Sequence, residues 1–311
     1  MADRSEVCVL LPTLNEAETI GDVVEGYRRV GFETIHVVDG GSTDGTRKLA
    51  REAGATVTLQ SGRGKGQAVR QGVAETDATY VLMADGDGTY RPEDAEMMLE
   101  PLFEGRADHV VGNRFAEMES DAMTRFNRIG NRLINWTFAA VHGRDLGDIL
   151  SGYRAFTRDS FERFRLESDG FGIETELAVE CVRNGVDTAV VPIRYEARPG
   201  GSETKLNPVR DGARIFLTMY ALARTNNPIF YFGSVAAIGL GAGVALAGYV
   251  GYRHFVAGVT HDVLALLSAF FVLLSVQLLM FGVLSDIVVS VNREQTRRIE
   301  DLERELHDGK D

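Results

Sequence analysis

The segment YVLMADGDGTYRP, residues 80–92, joins a short apolar run to two carboxylates, Asp85 and Asp87, that stand one residue apart between glycines. The apolar run is typical of a buried strand, and the Gly-Asp cluster indicates where that strand ends. In extended chain the side chains of residues i and i+2 point the same way, so the two carboxylates can converge on one hard cation or on sugar hydroxyls. A simple turn explains the same residues.

A calcium-binding loop of the EF-hand type does not explain this segment. Asp85, Asp87 and Thr89 stand at alternate positions suited to ligands, and Glu96 falls where such a loop has its bidentate acid. The sixth position of the loop must be glycine to allow a sharp turn, and this chain has Tyr90 there. A metal site, a sugar-binding pair and a turn remain open at this point.

The first two-thirds of the chain alternate short β-branched runs with helical patterns. We predict helices near 16–29, 44–53, 65–75 and 92–104, and strands at 7–11, 34–38, 56–59, 80–84, 109–111 and 189–193. This alternation is typical of a Rossmann-like α/β domain with a mostly parallel sheet. Ligands bind at the carboxyl ends of such strands, and polar clusters at 15–16, 39–42 and 85–87 follow three of them. We therefore expect a single binding rim.

The composition argues against a nucleic-acid partner and indicates the kind of source the protein comes from. The chain has 311 residues, a net charge of −12 and a pI near 5.1, which argues against nucleic acid because phosphate binding needs a basic face. Its four lysines stand against 29 arginines, and such an acidic, lysine-poor surface suits a halophilic source. Cys8 and Cys181 are too few and too far apart for a disulfide framework or a zinc site. Without an apolar leader, we expect the N-terminal domain to stay in the cytoplasm.

Two long uncharged stretches, 225–252 and 263–285, follow the predicted α/β domain. As a helix the second is about 34 Å long, enough to cross a hydrocarbon core of about 30 Å. We predict a catalytic domain at 1–207, an amphipathic interface helix at 208–227, transmembrane helices at 228–252 and 263–286, an extracellular loop at 253–262 and a cytoplasmic, charged helical tail at 287–311. A buried core helix would show a pattern similar to that of 208–227.

Arginines on the flanks of the two apolar helices predict their orientation. Six arginines flank the pair and one lies in the connecting loop. We therefore expect a multi-pass protein of the cell membrane with both flanks on the cytoplasmic side. Gly239 and Gly243 form a Gly-xxx-Gly pattern that permits close packing against a neighbouring helix, although membrane helices also tolerate glycine in general. Homo-oligomerisation is left open.

The motifs of residues 6–206 resemble, in order and in register, those of the family 2 glycosyltransferases of the GT-A fold, in particular the dolichyl-phosphate mannose synthase branch. The motifs are LPTLNE at 11–16, VVDGGSTDGT at 37–46, GKG at 64–66, DGD at 85–87, GNR at 112–114, RIGN at 128–131, SGYR at 151–154 with Asp148, and the segment 171–177. The resemblance implies a catalytic GT-A domain that takes a sugar from a nucleotide-sugar.

On the donor side, the resemblance implies contacts with the nucleotide-sugar from Pro12, Thr13, Asn15, Glu16, Asp39, Gly64, Lys65, Asp85, Arg198 and Lys205. Asp85 and Asp87 would hold Mg²⁺ or Mn²⁺ against the donor diphosphate, with Thr89 as a further contact. The cation would offset the charge on the leaving group. Helix capping is the alternative role for Asn15, and also for Asp44.

On the acceptor side, the resemblance implies that a lipid phosphate is bound by Arg114, Arg128, Ser151 and Arg154. Arginine suits this role because its planar fork grips two oxygens. No general base is needed, because a phosphate acceptor is already largely anionic near neutral pH. Glu174 and Glu176 either orient arginines or face water. The catalytic set is then Asp85, Asp87, Arg114 and Arg128.

The resulting expectation is an inverting hexosyltransferase of the lipid bilayer that transfers a sugar to dolichyl phosphate, for protein N-glycosylation of the S-layer type. The resemblance favours glucose from a UDP-sugar, with GDP-mannose as the alternative donor. A processive polysaccharide synthase is disfavoured, because its Gln-x-x-Arg-Trp motif is absent and the single tryptophan is Trp136. A non-catalytic membrane scaffold that binds nucleotide-sugar is the alternative of another class.

Overall fold

The computed structural model describes residues 4–119, 122–170, 172–198 and 227–308, together with Leu217, Tyr220, Ala223 and Arg224. The chain falls into two compact units, Met1–Thr218 and Met219–Asp311. Most of the predicted interface helix at 208–227 lies outside the described residues, as does the predicted donor-binding residue Lys205.

Seven strands form the sheet of the first unit: β1 Val7–Thr13, β2 Thr34–Asp39, β3 Thr56–Leu59, β4 Tyr80–Met83, β5 His109–Met118, β6 Arg154–Thr157 and β7 Thr188–Tyr195. Their order across the sheet is β3-β2-β1-β4-β6-β5-β7, and β6 runs antiparallel to both of its neighbours. The prediction of a mostly parallel α/β sheet is confirmed. No pattern in the sequence predicts β6, because this strand has four residues, begins with an arginine and is stabilised by pairing on both sides.

Helices cover both faces of this sheet. In the described part of the first unit they are α1 Ile20–Arg29, α2 Thr46–Glu52, α3 Lys65–Ala74, α4 Ala95–Phe103, α5 Arg125–His142, α6 Arg158–Glu162 and α7 Ile173–Arg183. Every residue of β1 is buried, with Val9 and Leu11 in one hydrophobic cluster and Leu10 in another. A strand covered on both faces is expected to be apolar almost throughout, and the β1 segment VCVLLPT has this composition.

The order of the strands reverses between β1 and β4, which lie side by side and run parallel. From β1 the chain continues outward to β2 and β3, whereas β4 leads to β6, β5 and β7 on the other side. The connections diverge at this point and leave a crevice at the carboxyl ends of the two strands. Asp39 at the end of β2 and Asp85 just after β4 both lie at this edge.

The second unit contains two long helices, α8 Pro228–Ala257 and α9 Asp262–Asp308. α8 and the Asp262–Asn292 part of α9 are long and apolar enough to cross a membrane, and 11% of the most apolar window of each is buried. The prediction of two apolar C-terminal helices is confirmed.

Both helices extend beyond the predicted spans. α8 includes Arg253, which the sequence analysis assigned to a loop, and it ends before Gly258, whose φ is +66°. α9 continues without a break from the apolar part into the charged tail. Helices end where backbone geometry or capping stops them, not where the first charge appears.

Glycines let α8 and α9 pack closely. A Cβ on Gly239 would lie 2.6 Å from the Ser275 hydroxyl oxygen, and one on Gly243 would lie 2.9 Å from a methyl carbon of Val272. The Ser268 hydroxyl donates to the Gly243 carbonyl over 2.8 Å. The Gly-xxx-Gly pattern therefore serves a helix contact within the chain.

Candidate active site

Asp39 ends β2 with a carboxylate that is fully buried. Its Oδ2 accepts hydrogen bonds from the backbone N–H groups of Gly41 at 3.0 Å and Ser42 at 2.9 Å, and Nε of Arg47 lies 3.5 Å away. Its Oδ1 is also buried and has no hydrogen-bond partner among the described residues. Buried polar atoms are rarely left unpaired, so this oxygen is suited to an N–H or O–H group of a ligand.

The loop after β1 is tied to the loop after β2. The Asn15 side-chain oxygen accepts from the Thr43 backbone N–H at 2.9 Å, and the Asn15 backbone N–H donates to the Ser42 hydroxyl at 2.8 Å. Asn15 has a φ of +51° and bridges two loops instead of capping α1. Asp44 accepts from the Thr46 N–H at 3.0 Å, whereas Gly45 occupies the N-cap position of α2.

The other donor-side residues predicted in LPTLNE lie close to the Asp-x-Asp loop. Pro12 and Thr13 are buried within β1, and the Thr13 hydroxyl has no hydrogen-bond partner in the described part of the chain. The Glu16 backbone N–H donates to the Thr46 hydroxyl at 2.9 Å. A Cβ on Gly86 would lie 2.5 Å from the Thr13 methyl carbon, so only glycine lets the two loops touch there.

Asp87 is held by its neighbours, and Asp85 is more open. The Thr89 hydroxyl and backbone N–H donate to Asp87 Oδ1 at 2.7 and 3.1 Å. Nη2 of Arg198 lies 2.5 Å from Asp87 Oδ2. The Asp87 side chain is 5% exposed and that of Asp85 is 28% exposed, so Asp85 is the carboxylate that ligands reach more easily. Thr89 positions Asp87, and its direct contact with a metal remains a prediction.

The two carboxylates fit a hard divalent cation. Mg²⁺ is usually bound through one or two carboxylates, keeps several waters and takes further oxygens from substrate phosphates, and Mn²⁺ also suits carboxylate ligands. Asp85 and Asp87 supply oxygens of this kind at the edge of the crevice. They follow β4 with one residue between them, and Gly86 and Asp87 lie in the turn that ends this strand segment.

Lys65, at the start of α3, lies between two carboxylates. Its Nζ is 2.5 Å from Asp85 Oδ1 and 2.5 Å from Glu174 Oε1, and the Lys65 and Glu174 side chains are nearly buried. Burial by itself would lower the pKa of Lys65, but the two carboxylates raise that pKa above its ordinary value, so the ammonium stays charged. The Glu174 side chain therefore pairs with a lysine, and neither orients an arginine nor faces water.

The Gly-Lys-Gly segment fits against the loop before α7. A Cβ on Gly64 would lie 2.1 Å from the Asp169 carbonyl oxygen, and the φ of Gly64 is +87°, so no other residue fits. Glu176 holds the opposing loop by accepting from the backbone N–H groups of residues 167 and 168 at 2.8 and 2.9 Å. This contact between loops brings Lys65 to Glu174.

Arg114 in β5 forms a bidentate pair with Asp148. Nε and Nη2 donate to the two carboxylate oxygens at 2.6 and 2.9 Å, and the guanidinium carbon lies 5.3 Å from the centre of the Tyr195 ring. Burial would lower the pKa of Arg114, but Asp148 raises it well above its ordinary value. Arg128 on α5 is half-buried, and its Nε has no partner among the residues described. The phosphate contacts of both arginines remain predictions.

The predicted contact of Arg154 with the acceptor phosphate is corrected by the structure, because its side chain is fully buried and bound to interior carbonyls. The Ser151 hydroxyl is buried too and accepts from the Tyr153 N–H at 3.3 Å, and its phosphate contact remains a prediction. Arg154 donates to the carbonyl oxygens of Ser151 at 3.1 Å, Ile149 at 2.8 Å and Glu174 at 2.9 Å. Its Nη1 lies 3.1 Å from Nε2 of His109. An arginine committed to interior carbonyls does not reach a lipid headgroup; it fixes the 149–151 loop and the start of α7.

Tyr90 belongs to the site, although no motif in the sequence predicts it. The Tyr90 ring is buried, stacks on Tyr153 at 5.0 Å between ring centres and lies 5.5 Å from the Tyr195 ring. Its hydroxyl accepts from the Gly152 backbone N–H at 2.9 Å. A Cβ on Gly152 would lie 2.7 Å from Asp85 Oδ2, so Tyr90 supports the backbone directly beside Asp85. These contacts join distant parts of the chain, so no local sequence pattern predicts them.

Two features define an α/β enzyme of the GT-A class. The mostly parallel sheet has a crevice where its strand order reverses, and an Asp-x-Asp pair lies at the edge of that crevice. The family profile described as glycosyl transferase family 2 matches residues 8–165. The chain therefore belongs to glycosyl transferase family 2 and is a glycosyltransferase. The resemblance found in its motifs is confirmed.

Similar proteins agree with this placement. The chain is 59% identical over 304 residues to glycosyltransferase AglJ of Haloferax volcanii, covering 97% of this chain and 100% of the relative. It is 33% identical over 212 residues to a dolichyl-phosphate hexose transferase of the same organism, covering 68% and 90%. A solved glucosyl-3-phosphoglycerate synthase from Mycobacterium tuberculosis, in complex with Mn²⁺, UDP-glucose and phosphoglyceric acid, has a TM-score of 0.59 at 24% identity, covering 70% and 79%. This last likeness shows a shared fold.

Proposed function

We propose that the protein transfers a hexose from a nucleotide-sugar, with UDP-glucose as the first choice, to dolichyl phosphate for N-linked glycan assembly. The observation that carries the proposal is the convergence on one crevice of the Asp-x-Asp pair, the unpaired Asp39 oxygen and two cations, Lys65 and Arg198. The relative named as a dolichyl-phosphate hexose transferase supports a hexose and a dolichyl-phosphate acceptor, and glycosyltransferase AglJ supports glycosyl transfer.

The crevice has a group for each part of a nucleotide-sugar. Asp39 Oδ1 is suited to accept from an N–H of the base or a hydroxyl of the ribose. Lys65 and Arg198 carry positive charge for the diphosphate, and Asp85 and Asp87 would hold Mg²⁺ or Mn²⁺ beside it. When bound, such a cation stabilises the negative charge that develops on the departing nucleoside diphosphate.

The acceptor phosphate needs no general base. A phosphate ester has a second pKa of about 6, so its oxygen is already anionic at neutral pH. That oxygen attacks the anomeric carbon from the side opposite the diphosphate; the new C–O bond forms as the bond to the diphosphate oxygen breaks, and the configuration inverts. Arg114 and Arg128 are the proposed cations for the lipid phosphate.

Turnover by the purified full chain tests the proposal directly. We expect a lipid-linked hexose from UDP-glucose and dolichyl phosphate, lost on chelation of divalent cations and restored by Mg²⁺ or Mn²⁺. A panel of UDP- and GDP-hexoses, with product mass and chromatography, identifies the sugar. Product from GDP-mannose alone would reassign the protein as a mannose synthase, and nucleotide-sugar binding without lipid product would favour the scaffold.

An exposed apolar face on α5 supports a lipid acceptor. Phe126, Ile129, Leu133 and Trp136 recur at helical spacing on this helix, and each is at least 58% exposed. The helix carries three arginines and no acidic residue, in a chain of net charge −12. Such a helix suits the surface of an anionic bilayer. We propose that α5 and the predicted transmembrane pair keep the catalytic unit at the cytoplasmic face of the cell membrane. The domain limits given in the sequence analysis are part of this proposal.

Trp136 makes the proposed bilayer contact measurable, because it is the only tryptophan of the chain. In proteoliposomes of anionic lipid we expect its fluorescence emission to shift to shorter wavelength and to be quenched by lipids brominated near the headgroup. The matched control is the double variant Trp136→Phe/Met97→Trp, which moves the probe to another exposed position, on α4, and should not be quenched. Emission at the wavelength typical of water, without quenching, would contradict the contact.

Asp39→Asn is expected to raise the KM for the nucleotide-sugar by about 10- to 100-fold, because hydrogen bonds to charged groups contribute about 1.5–3 kcal/mol. kcat at saturating donor and the KM for dolichyl phosphate should stay unchanged. Steady-state kinetics checks this result. The control is Asp94→Asn, another buried carboxylate, which accepts from the Arg194 backbone N–H at 2.8 Å. An unchanged donor KM in Asp39→Asn would remove this residue from the donor site.

A further inference from the structure

Lys65 occupies one oxygen, Oδ1, of the Asp85 carboxylate that would bind a divalent cation. Its ammonium lies 2.5 Å from Asp85 Oδ1 in the ligand-free protein. Two cations on one carboxylate oxygen repel each other strongly at such distances, particularly where the site is partly shielded from water. Metal binding at Asp85 therefore requires that Lys65 moves, or that its charge is balanced by another group.

Glu174 supplies that balancing charge. Its Oε1 lies 2.5 Å from Lys65 Nζ, and its side chain is 6% exposed against 28% for Asp85. The backbone of Glu174 is fixed as well, since its carbonyl accepts from Arg154 at 2.9 Å. Lys65 thus lies between one carboxylate that solvent and ligands reach and one that is held in place inside the protein.

Gly152 leaves the space in which the ammonium lies. A Cβ at this position would come within 2.7 Å of Asp85 Oδ2 and 2.9 Å of Lys65 Nζ. The Tyr90 hydroxyl holds the Gly152 backbone N–H at 2.9 Å. Because the surroundings are close-packed, Lys65 has few places to go when it leaves Asp85, and Glu174 is already within contact distance.

We propose that Glu174 is a positioning residue of the metal site, which retains the Lys65 ammonium when Asp85 takes up the divalent cation. The inference rests on the proposed function, because it uses Asp85 and Asp87 as the metal ligands. In the ligand-free protein Lys65 neutralises Asp85. On metal binding Lys65 pairs with Glu174 alone, so that it no longer competes for Asp85 and its N–H groups remain beside the diphosphate.

Mn²⁺ binding to the purified full chain without nucleotide, measured from the electron paramagnetic resonance signal of free Mn²⁺, tests this inference. We expect Glu174→Gln to weaken Mn²⁺ binding about tenfold and Lys65→Met to tighten it by a similar factor, a size typical of directly contacting pairs. In the double variant Lys65→Met/Glu174→Gln, the loss due to Glu174→Gln should disappear, because Glu174 acts through the lysine.

Glu180→Gln is the matched control, since it removes the same charge from another buried side chain of α7, which pairs with Arg183 at 3.2 Å. Its Mn²⁺ affinity should equal that of the parent. If Lys65→Met does not fold, the comparison of Glu174→Gln with Glu180→Gln still decides. Equal effects of these two variants, or a Glu174→Gln effect that persists in the double variant, would overturn the inference. Undiminished Mn²⁺ binding by Asp87→Asn would instead show that the proposed metal site itself is wrong.

Discussion

Asp87→Asn is expected to lower kcat for hexose transfer by about 100- to 1,000-fold, the effect of removing one group that stabilises transition-state charge. Asparagine has nearly the same shape and keeps an oxygen for the Thr89 hydroxyl, which donates to Asp87 Oδ1 at 2.7 Å. It loses the negative charge that pairs with Arg198 and that would bind a divalent cation. The charge that develops on the leaving diphosphate is then less well stabilised.

Transfer of radiolabelled hexose to dolichyl phosphate, measured over a range of Mn²⁺ concentrations, checks this prediction. Thermal unfolding of the same preparation should show that the variant is folded. Asp94→Asn again serves as the control, because it neutralises a buried carboxylate that accepts from the Arg194 backbone. Parent-like turnover by Asp87→Asn would refute its role as a metal ligand and, with it, the proposed leaving-group chemistry.

Arg114→Met is expected to lower the free energy of unfolding by about 3–5 kcal/mol, because it leaves a buried carboxylate without its partner. The Asp148 side chain is fully buried and receives two hydrogen bonds from Arg114, at 2.6 and 2.9 Å. Methionine fills much of the volume of the arginine but offers no donor. Urea unfolding of the full chain in detergent, followed through the fluorescence of Trp136 on α5, measures the loss.

The double variant Arg114→Met/Asp148→Leu separates the structural role of Arg114 from its proposed role at the acceptor phosphate. Replacing both members of a buried ion pair by apolar residues is often neutral for stability, so most of the lost stability should return. We expect the double variant to remain defective in transfer, with a raised KM for dolichyl phosphate. A stable double variant with normal kinetics would show that Arg114 serves the fold alone and would contradict its place in the acceptor site.

Local sequence was informative wherever the contact partners of a residue are local. Asp39 is held by the N–H groups of Gly41 and Ser42, and Asp87 by Thr89, so short motifs contain both the side chain and what orients it. The same holds for β1, whose continuous apolar run follows from being covered on both faces. Such positions could be predicted from the chain read in order.

Arg154 shows where that approach stops. The family resemblance implies that Arg154 binds phosphate, yet its guanidinium lies inside the protein on the carbonyls of Ile149, Ser151 and Glu174. The Ile149 and Ser151 carbonyls are close to Arg154 in the chain. Glu174 belongs to α7, and no motif links it to Arg154. Burial of a charged residue depends on which elements pack around it, and no residue pattern near Arg154 reports that packing.

The sequence by itself determined the α/β class, the rim of carboxylates at the strand ends and the two apolar helices, because periodicity, strand-end chemistry and helix length are properties of short segments. Tertiary structure alone decided that β6 is inserted antiparallel between β4 and β5, that Asp148 holds Arg114, and that Lys65 lies between Asp85 and Glu174. These arrangements join residues far apart in the chain. Their energies depend on distance and burial in the folded protein, which only the packing of the whole unit sets.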